Sequence, residues 1–201
     1  MVLHHATWPE VEAYLKNSTG VVIPTGSTEQ HGPTGLIGTD SITAETVALA
    51  MADITGALVG PTLSLSQAQF NLGFPGTVSL RPSTLIQVII DYVQSLARHG
   101  FEHFYFLNGH GGNVSPAHCA FQELYADQSL GLHPGLAVQC RLRSWWDFSE
   151  VNGFKSKIKI KKSKIFYKNK FLPNSKLNFA ENLLSKNNKD KAITFVSENG
   201  F

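Results

Sequence analysis

His103-Phe104-Tyr105-Phe106-Leu107, running straight into Asn108-Gly109-His110-Gly111-Gly112-Asn113, is the stretch that decides how this chain folds. The first five residues are dominated by aromatics and leucine and predict a buried strand. The glycine-rich run behind them predicts a loop. A helix is expected next, from about Ser115 to Asp127. Strand, polar loop and helix in direct succession are the signature of a layered α/β unit.

The same alternation extends in both directions. Thr7 to Asn17 predicts a short amphipathic helix, and Val21-Val22-Ile23 a buried strand. Pro24 to Thr39 is rich in Gly, Thr, Ser and Pro and predicts a loop. Asp40-Ser41 opens a helix to about Ile54, with Ala44, Val47, Leu49 and Met51 as core candidates. Ala57-Leu58-Val59 is a second strand. Pro82-Ser83 starts a helix to Arg98, with Leu85, Val88, Ile89, Tyr92, Val93 and Leu96 on its apolar face and His99-Gly100 as its stop. Leu136-Ala137-Val138 is a further strand. The expected architecture is α/β, a mostly parallel sheet with helices on both faces. In such sheets ligands sit in loops beyond the carboxyl ends of strands.

Two loops in that position carry chemistry. Gly26-Ser27-Thr28-Glu29-Gln30-His31-Gly32-Pro33 places Glu29 and His31 two residues apart, so in extended backbone both side chains point the same way. Asp40 follows at the end of a glycine-rich turn, and His110 stands just past a strand. One Glu, one Asp and two His suit Zn²⁺ or Mn²⁺, with a carboxylate able to bridge two ions. Taken singly, each has a plainer role. Asp40 is a helix N-cap, Glu29 a solvated acid, and His31 or His110 a hydrogen-bonding loop residue. The metal reading rests on the four together.

Composition bounds the rest. The chain has 201 residues and 42% hydrophobic content, enough for one domain with a buried core. Cys119 and Cys140 lie outside any CxxC spacing and are expected as small buried hydrophobes. Met1 to Leu15 is neither basic nor continuously apolar, and no window approaches a membrane span, so a cytoplasmic protein without membrane partners is expected. Charge is uneven. All eight histidines lie before residue 155, whereas the remainder holds twelve lysines against three acidic residues and no arginine. Residues 155–201 therefore form a basic Lys-rich tail distinct from residues 1–154. Ile158, Ile160 and Ile165 could form a poor strand there, and Leu177 to Leu184 a helix.

Thr25-Gly26-Ser27-Thr28-Glu29-Gln30-His31-Gly32, Asp40, Phe74-Pro75-Gly76-Thr77 and Asn108-Gly109-His110-Gly111-Gly112-Asn113 together resemble the creatininase (creatinine amidohydrolase) family over about residues 5–154. The resemblance implies a three-layer sandwich and a binuclear metal hydrolase of cyclic amides or formamides, acting through a metal-bridged hydroxide. It implies a small-molecule amide substrate and assembly as a homo-oligomer, a hexamer. Glu29 and His110 would bind one ion and His31 the other, with Asp40 bridging both. Gly111, Gly112 and Asn113 would lie on the substrate side. One departure matters: creatininase carries a metal-binding glutamate where this chain has Gly112. Relatives with this glycine take the carboxylate from a later His-Ala-Gly and Glu-Thr-Ser region, which has no counterpart after Phe154. The expected outcome is a C-terminally truncated domain, with one complete ligand set (Glu29, Asp40 and His110) and no identified catalytic acid or base.

The stretch from Phe171-Leu172-Pro173-Asn174 to Leu184 resembles the amino-terminal part of acetoacetyl-CoA synthetases, a likeness that continues weakly within residues 166–201. That family's nucleotide-binding motifs are absent, so no ligase activity is implied. Two rival readings stand beside the amidohydrolase: an inactive metal-binding remnant or fusion product, and a nucleic-acid-binding arm at Lys155 to Lys170. No aromatic stacking platform accompanies those lysines, so nucleic acid is not expected as a partner.

Overall fold

The structure, a computed structural model, describes residues 1–133 and 137–148. The chain divides into two units, Met1–Trp145 and Trp146–Phe201, and the first is the subject below. The expectations for the basic tail, its strand, its helix and its ligase-like segment fall outside the described residues.

Among the described residues four strands form one sheet: β1 (Gly20–Thr25), β2 (Leu58–Val59), β3 (His103–Asn108) and β4 (Gln139–Ser144). Their order is β2-β1-β3-β4 and every pairing is parallel. The helices are α1 (Trp8–Leu15), α2 (Thr39–Thr55), α3 (Pro82–Ala97) and α4 (Val114–Ser129). Parallel strands need crossovers, and α2, α3 and α4 supply them. The expected α/β architecture is therefore the observed one.

Alternation along the strands sorts the two sheet faces. Val21, Ile23, Phe104 and Phe106 join Leu85, Ile89 and Val93 of α3 and Ala120, Phe121 and Leu124 of α4 in one buried cluster. Val22 and Leu107, one position out of step, are buried outside that cluster, and α2 packs on β1, β2 and β3. Only small side chains permit that close approach: the buried apolar residues of α2 are Ala44, Ala48 and Ala52. Of the core candidates named for this helix, Ala44 is buried, Leu49 is exposed, and Val47 and Met51 are half-buried.

One strand falls elsewhere than expected. Val138 is buried but not in a strand, and β4 spans Gln139–Ser144 instead. Its sequence, Gln-Cys-Arg-Leu-Arg-Ser, alternates, burying Cys140 and Ser144 while Gln139, Arg141 and Arg143 are exposed. Cys119, expected in the core, is exposed. Among the described residues no helix is long and apolar enough to cross a membrane.

The strand order fixes where a ligand can sit. The connection from β1 leads outward to β2 and that from β3 leads the opposite way to β4. The loops after β1 and β3 diverge and leave a crevice at the carboxyl ends of these two strands.

Candidate metal centre

Both chemistry-bearing loops open at that crevice. Gly26 follows β1 directly, where a Cβ would lie 2.3 Å from Ser41 Cα and N. Only glycine lets the loop pass so near the first turn of α2. Ser41 Oγ donates to Ser27 O at 2.9 Å, and Glu29 N donates to Ile37 O at 2.9 Å. On the other side, a Cβ on Gly109 would stand 2.3 Å from Asp40 O, so this loop also presses against α2. Asn108 ties its own loop together. Its Oδ1 accepts from His110 N at 3.1 Å and its Nδ2 donates to His110 O at 2.8 Å.

The four predicted ligands meet there. Asp40 divides its oxygens: Oδ1 lies 2.9 Å from His31 Nε2 and Oδ2 lies 2.9 Å from His110 Nδ1. Glu29 Oε1 lies 3.2 Å from the same His110 Nδ1. Glu29, His31 and Asp40 offer ligand atoms within 4.8 Å of one another. Glu29, Asp40 and His110 are buried, at 6%, 6% and 4% exposure. The N-cap role considered for Asp40 is not observed. Gly38 occupies the N-cap of α2 and Asp40 sits in its first turn, where the positive end of the helix dipole favours its charge.

The remaining ring nitrogens are held by main-chain carbonyls. His31 Nδ1 lies 3.1 Å from Glu29 O, and His110 Nε2 lies 2.8 Å from Gln67 O. These partners are all acceptors, so both nitrogens of each ring face atoms that can take an N–H. Burial alone would lower the His110 pKa, but its bonds to Asp40 and Glu29 and their charges push it up to about 10. Burial likewise opposes the charge on His31, yet the bond to Asp40, that carboxylate's charge and the Glu29 carbonyl hold its pKa above the ordinary value. Burial would raise the pKa of Asp40, while its bonds from His110 and His31 hold it below the usual value. The added proton on His110, and the one that His31 is biased to hold, therefore stand where a divalent cation would balance the two carboxylates. Once they leave, the carbonyls keep the other ring protons and leave His110 Nδ1 and His31 Nε2 as lone pairs. This donor set fits Zn²⁺ or Mn²⁺, with its ring orientations fixed from outside.

Several participants were not foreseen from sequence. Asn71, in a short 3₁₀ turn (Gln69–Asn71), donates through Nδ2 to Glu29 Oε2 at 3.0 Å. Gln30 Nε2 donates to Asn71 Oδ1 at 2.9 Å, and Gln30 N donates to Thr77 Oγ1 at 3.2 Å. That last bond gives the Phe74–Thr77 motif a role, and Gly76 makes its turn possible at φ 91°. Phe70 lies parallel to His110, with ring centroids 6.3 Å apart.

The three residues expected on the substrate side differ. Gly111 is exposed, with nothing within 4 Å of where a Cβ would stand. Gly112 is packed in: a Cβ there would lie 2.4 Å from Gln67 O and 2.5 Å from His110 Nε2. Asn113 is fully buried, and its Nδ2 donates to Gly26 O at 2.9 Å and Asn108 Oδ1 at 3.2 Å. It links the two loops from within.

The chain is similar to proteins of known family. The family profile described as "Creatininase: Creatinine amidohydrolase" matches residues 4–165. A mycofactocin precursor peptide peptidase of Mycolicibacterium smegmatis is 37% identical over 100 residues, 47% of this chain and 40% of that protein. A creatinine amidohydrolase of Pseudomonas putida is 35% identical over 152 residues, 71% of this chain and 56% of that protein. A crystal structure of creatinine amidohydrolase superposes with a TM-score of 0.69 at 29% identity, covering 77% of this chain and 61% of that one. Similar solved creatininases include a manganese form and a Zn-Zn form. The chain spans about half the length of the curated relatives it matches, 40% of one and 56% of the other.

Proposed function

The chain belongs to the creatininase family, and we propose that it is a metal-dependent hydrolase of an amide C–N bond in a small cyclic amide or formamide. The carrying observation is the convergence of His31 Nε2 and His110 Nδ1 on the two oxygens of Asp40, with Glu29 beside them. Glu29, Asp40 and His110 would hold one ion, with His31 and Asp40 directed toward a second. A bound Zn²⁺ or Mn²⁺ would supply Lewis-acid catalysis at the scissile carbonyl.

The chain's own residues prepare the site. Asp40 can bridge because its oxygens already face different histidines. The carbonyls of Glu29 and Gln67 would retain one proton on each ring, so any second ring proton leaves as a metal loads. Burial of Glu29, Asp40 and His110 keeps bulk water from competing for these groups. Gly111 leaves open space for a substrate at the end of β3. Residence in the cytoplasm and assembly as a homo-oligomer belong to the same reading. Exposed Leu36, Leu72 and Phe74 on the site loops support the assembly.

The test is metal titration with Zn²⁺ and Mn²⁺, paired with hydrolysis assays on creatinine, formamide analogues and short peptide amides. Peptides are included because of the 37% identity to a peptidase. The expected result is bound metal and hydrolysis that a chelator or Asp40→Asn abolishes. Hydrolysis indifferent to both would sink the proposal. A second reading, metal binding without turnover, is favoured by Gly112, where the backbone leaves no room for a carboxylate side chain. Stable metal binding with no hydrolysis of any of these substrates would select it.

A further inference from the structure

We propose that Asn71 is the positioning residue that aims Glu29 at the metal, and that Gln30 dictates the sense in which Asn71 bonds. The inference rests on the metal-binding reading above.

The chain of donors begins at a group that can only donate. Gly32 N donates to Gln30 Oε1 at 2.8 Å. The oxygen end of the Gln30 amide is thereby occupied, and its Nε2 donates to Asn71 Oδ1 at 2.9 Å. Asn71 then has only its nitrogen left for Glu29, and Nδ2 donates to Oε2 at 3.0 Å. Turning any amide in the row would set oxygen against oxygen or nitrogen against nitrogen, so a main-chain N–H fixes the polarity of the whole relay. Glu29 Oε2 is committed as an acceptor, and Oε1 is the atom that faces His110 Nδ1 at 3.2 Å. Asn71 is 8% exposed and Glu29 6%, which shields their bond from water. The frame is held at both ends. Asn71 N donates to Ala68 O at 3.0 Å, and Gln30 N to Thr77 Oγ1 at 3.2 Å.

The experiment is calorimetric titration of the full chain and its variants with Zn²⁺, alongside thermal unfolding without metal. Asn71→Leu removes the donor at similar volume. Gln30→Glu still accepts from Gly32 but offers Asn71 only an acceptor, so Asn71 Oδ1 loses its donor and the amide, drawn by a carboxylate on each side, is no longer held toward Glu29. Each variant is expected to weaken Zn²⁺ binding by roughly 10–100-fold, the range for partners that orient metal ligands. For Gln30→Glu this loss comes despite an added negative charge near the cation. Asn71→His, with a ring N–H to donate, recovers part of the affinity. Combining Gln30→Glu with Asn71→Leu costs no more than Asn71→Leu alone, because Gln30 acts through Asn71.

Variants that melt earlier yet bind Zn²⁺ within about two-fold of the parent, with additive losses, would overturn the relay and leave a packing role. Should Asn71→Leu fail to fold, Gln30→Glu at its half-buried position decides alone. A parent chain that binds no Zn²⁺ overturns the metal reading and this inference together. A parent that binds, with variants that bind equally well, overturns this inference only.

Discussion

His110 Nε2 stands 2.8 Å from the main-chain oxygen of Gln67, and Gly112 is packed into the angle between them. A Cβ at 112 meets both atoms, so Gly112→Ala is expected to push them apart. Overpacking of this kind typically costs about 1–3 kcal/mol. Zn²⁺ affinity should fall by roughly 10–100-fold as His110 loses its outer partner. Gly112→Glu introduces a carboxylate at this position, yet is expected to gain no second ion. Thermal unfolding and metal stoichiometry check both variants. An undiminished melting temperature with a second ion bound would show that the backbone yields.

Acidity acts on the metal-free chain in a definite direction. His110 rises from 6.5 to about 10 on folding, so its contribution is fully present below pH 6.5 and is lost as pH climbs through about 10. His31 acts in the same sense. Asp40 is held below 3.8, so its contribution is present above that value and is lost as pH falls through the lowered one. The metal-free melting temperature should therefore decline from near pH 6.5 toward 10, while Zn²⁺ binding tightens over the same interval as protons leave. Calorimetry in buffers of different ionisation enthalpy should reveal the protons released. A Zn²⁺ affinity that does not change across this interval would contradict the raised pKa of His110.

Asp40→Asn removes the anion that both histidines share. Breaking one side of a buried charge pair commonly costs about 3–5 kcal/mol. Here the loss is offset in part because each ring can shed its extra proton. The expected outcome is a folded chain, destabilised by about 1–3 kcal/mol, with no measurable Zn²⁺ binding. Circular dichroism with titration separates the two effects, and full Zn²⁺ binding by this variant would remove Asp40 from the ligand set.

Gly26→Ala tests the frame and not the ligands. The new methyl would lie 2.3 Å from Ser41 Cα and N, backbone atoms that no side-chain rotation can move. The first turn of α2 must back away from β1, carrying Asp40 with it. A loss of about 1–3 kcal/mol is expected, together with weaker metal binding although no ligand has changed. Hydrogen exchange should show the start of α2 opening more readily, and an unaltered exchange pattern would count against the close approach.

Much of this arrangement was legible in the sequence. Helix α3 announced itself through Pro82, the spacing of Leu85, Ile89 and Val93, and Gly100, which adopts φ 100°. Glu29, His31, Asp40 and His110 stood out because each lies on or beside a glycine-rich loop, where residue type and position coincide. Strand β4 was misplaced because the short apolar run before it outweighed the weaker alternation of Cys140 and Leu142. Asn71 and Gln67 escaped notice for a different reason. One works through an amide reached across 42 residues of chain and the other through its main-chain oxygen, and neither leaves a period or a spacing.

The bond between Asn113 and Gly26 joins positions 87 residues apart, across two strands that are neighbours in the sheet but not in the chain. No partial structure confined to one end of the polypeptide brings Glu29, His31, Asp40 and His110 together. Their assembly waits for β1 and β3 to find each other, a long-range event of the kind that slows folding. Ions added to a refolding chain should therefore leave the folding rate unchanged and slow unfolding, because they reward a geometry that exists only after the rate-limiting search is over.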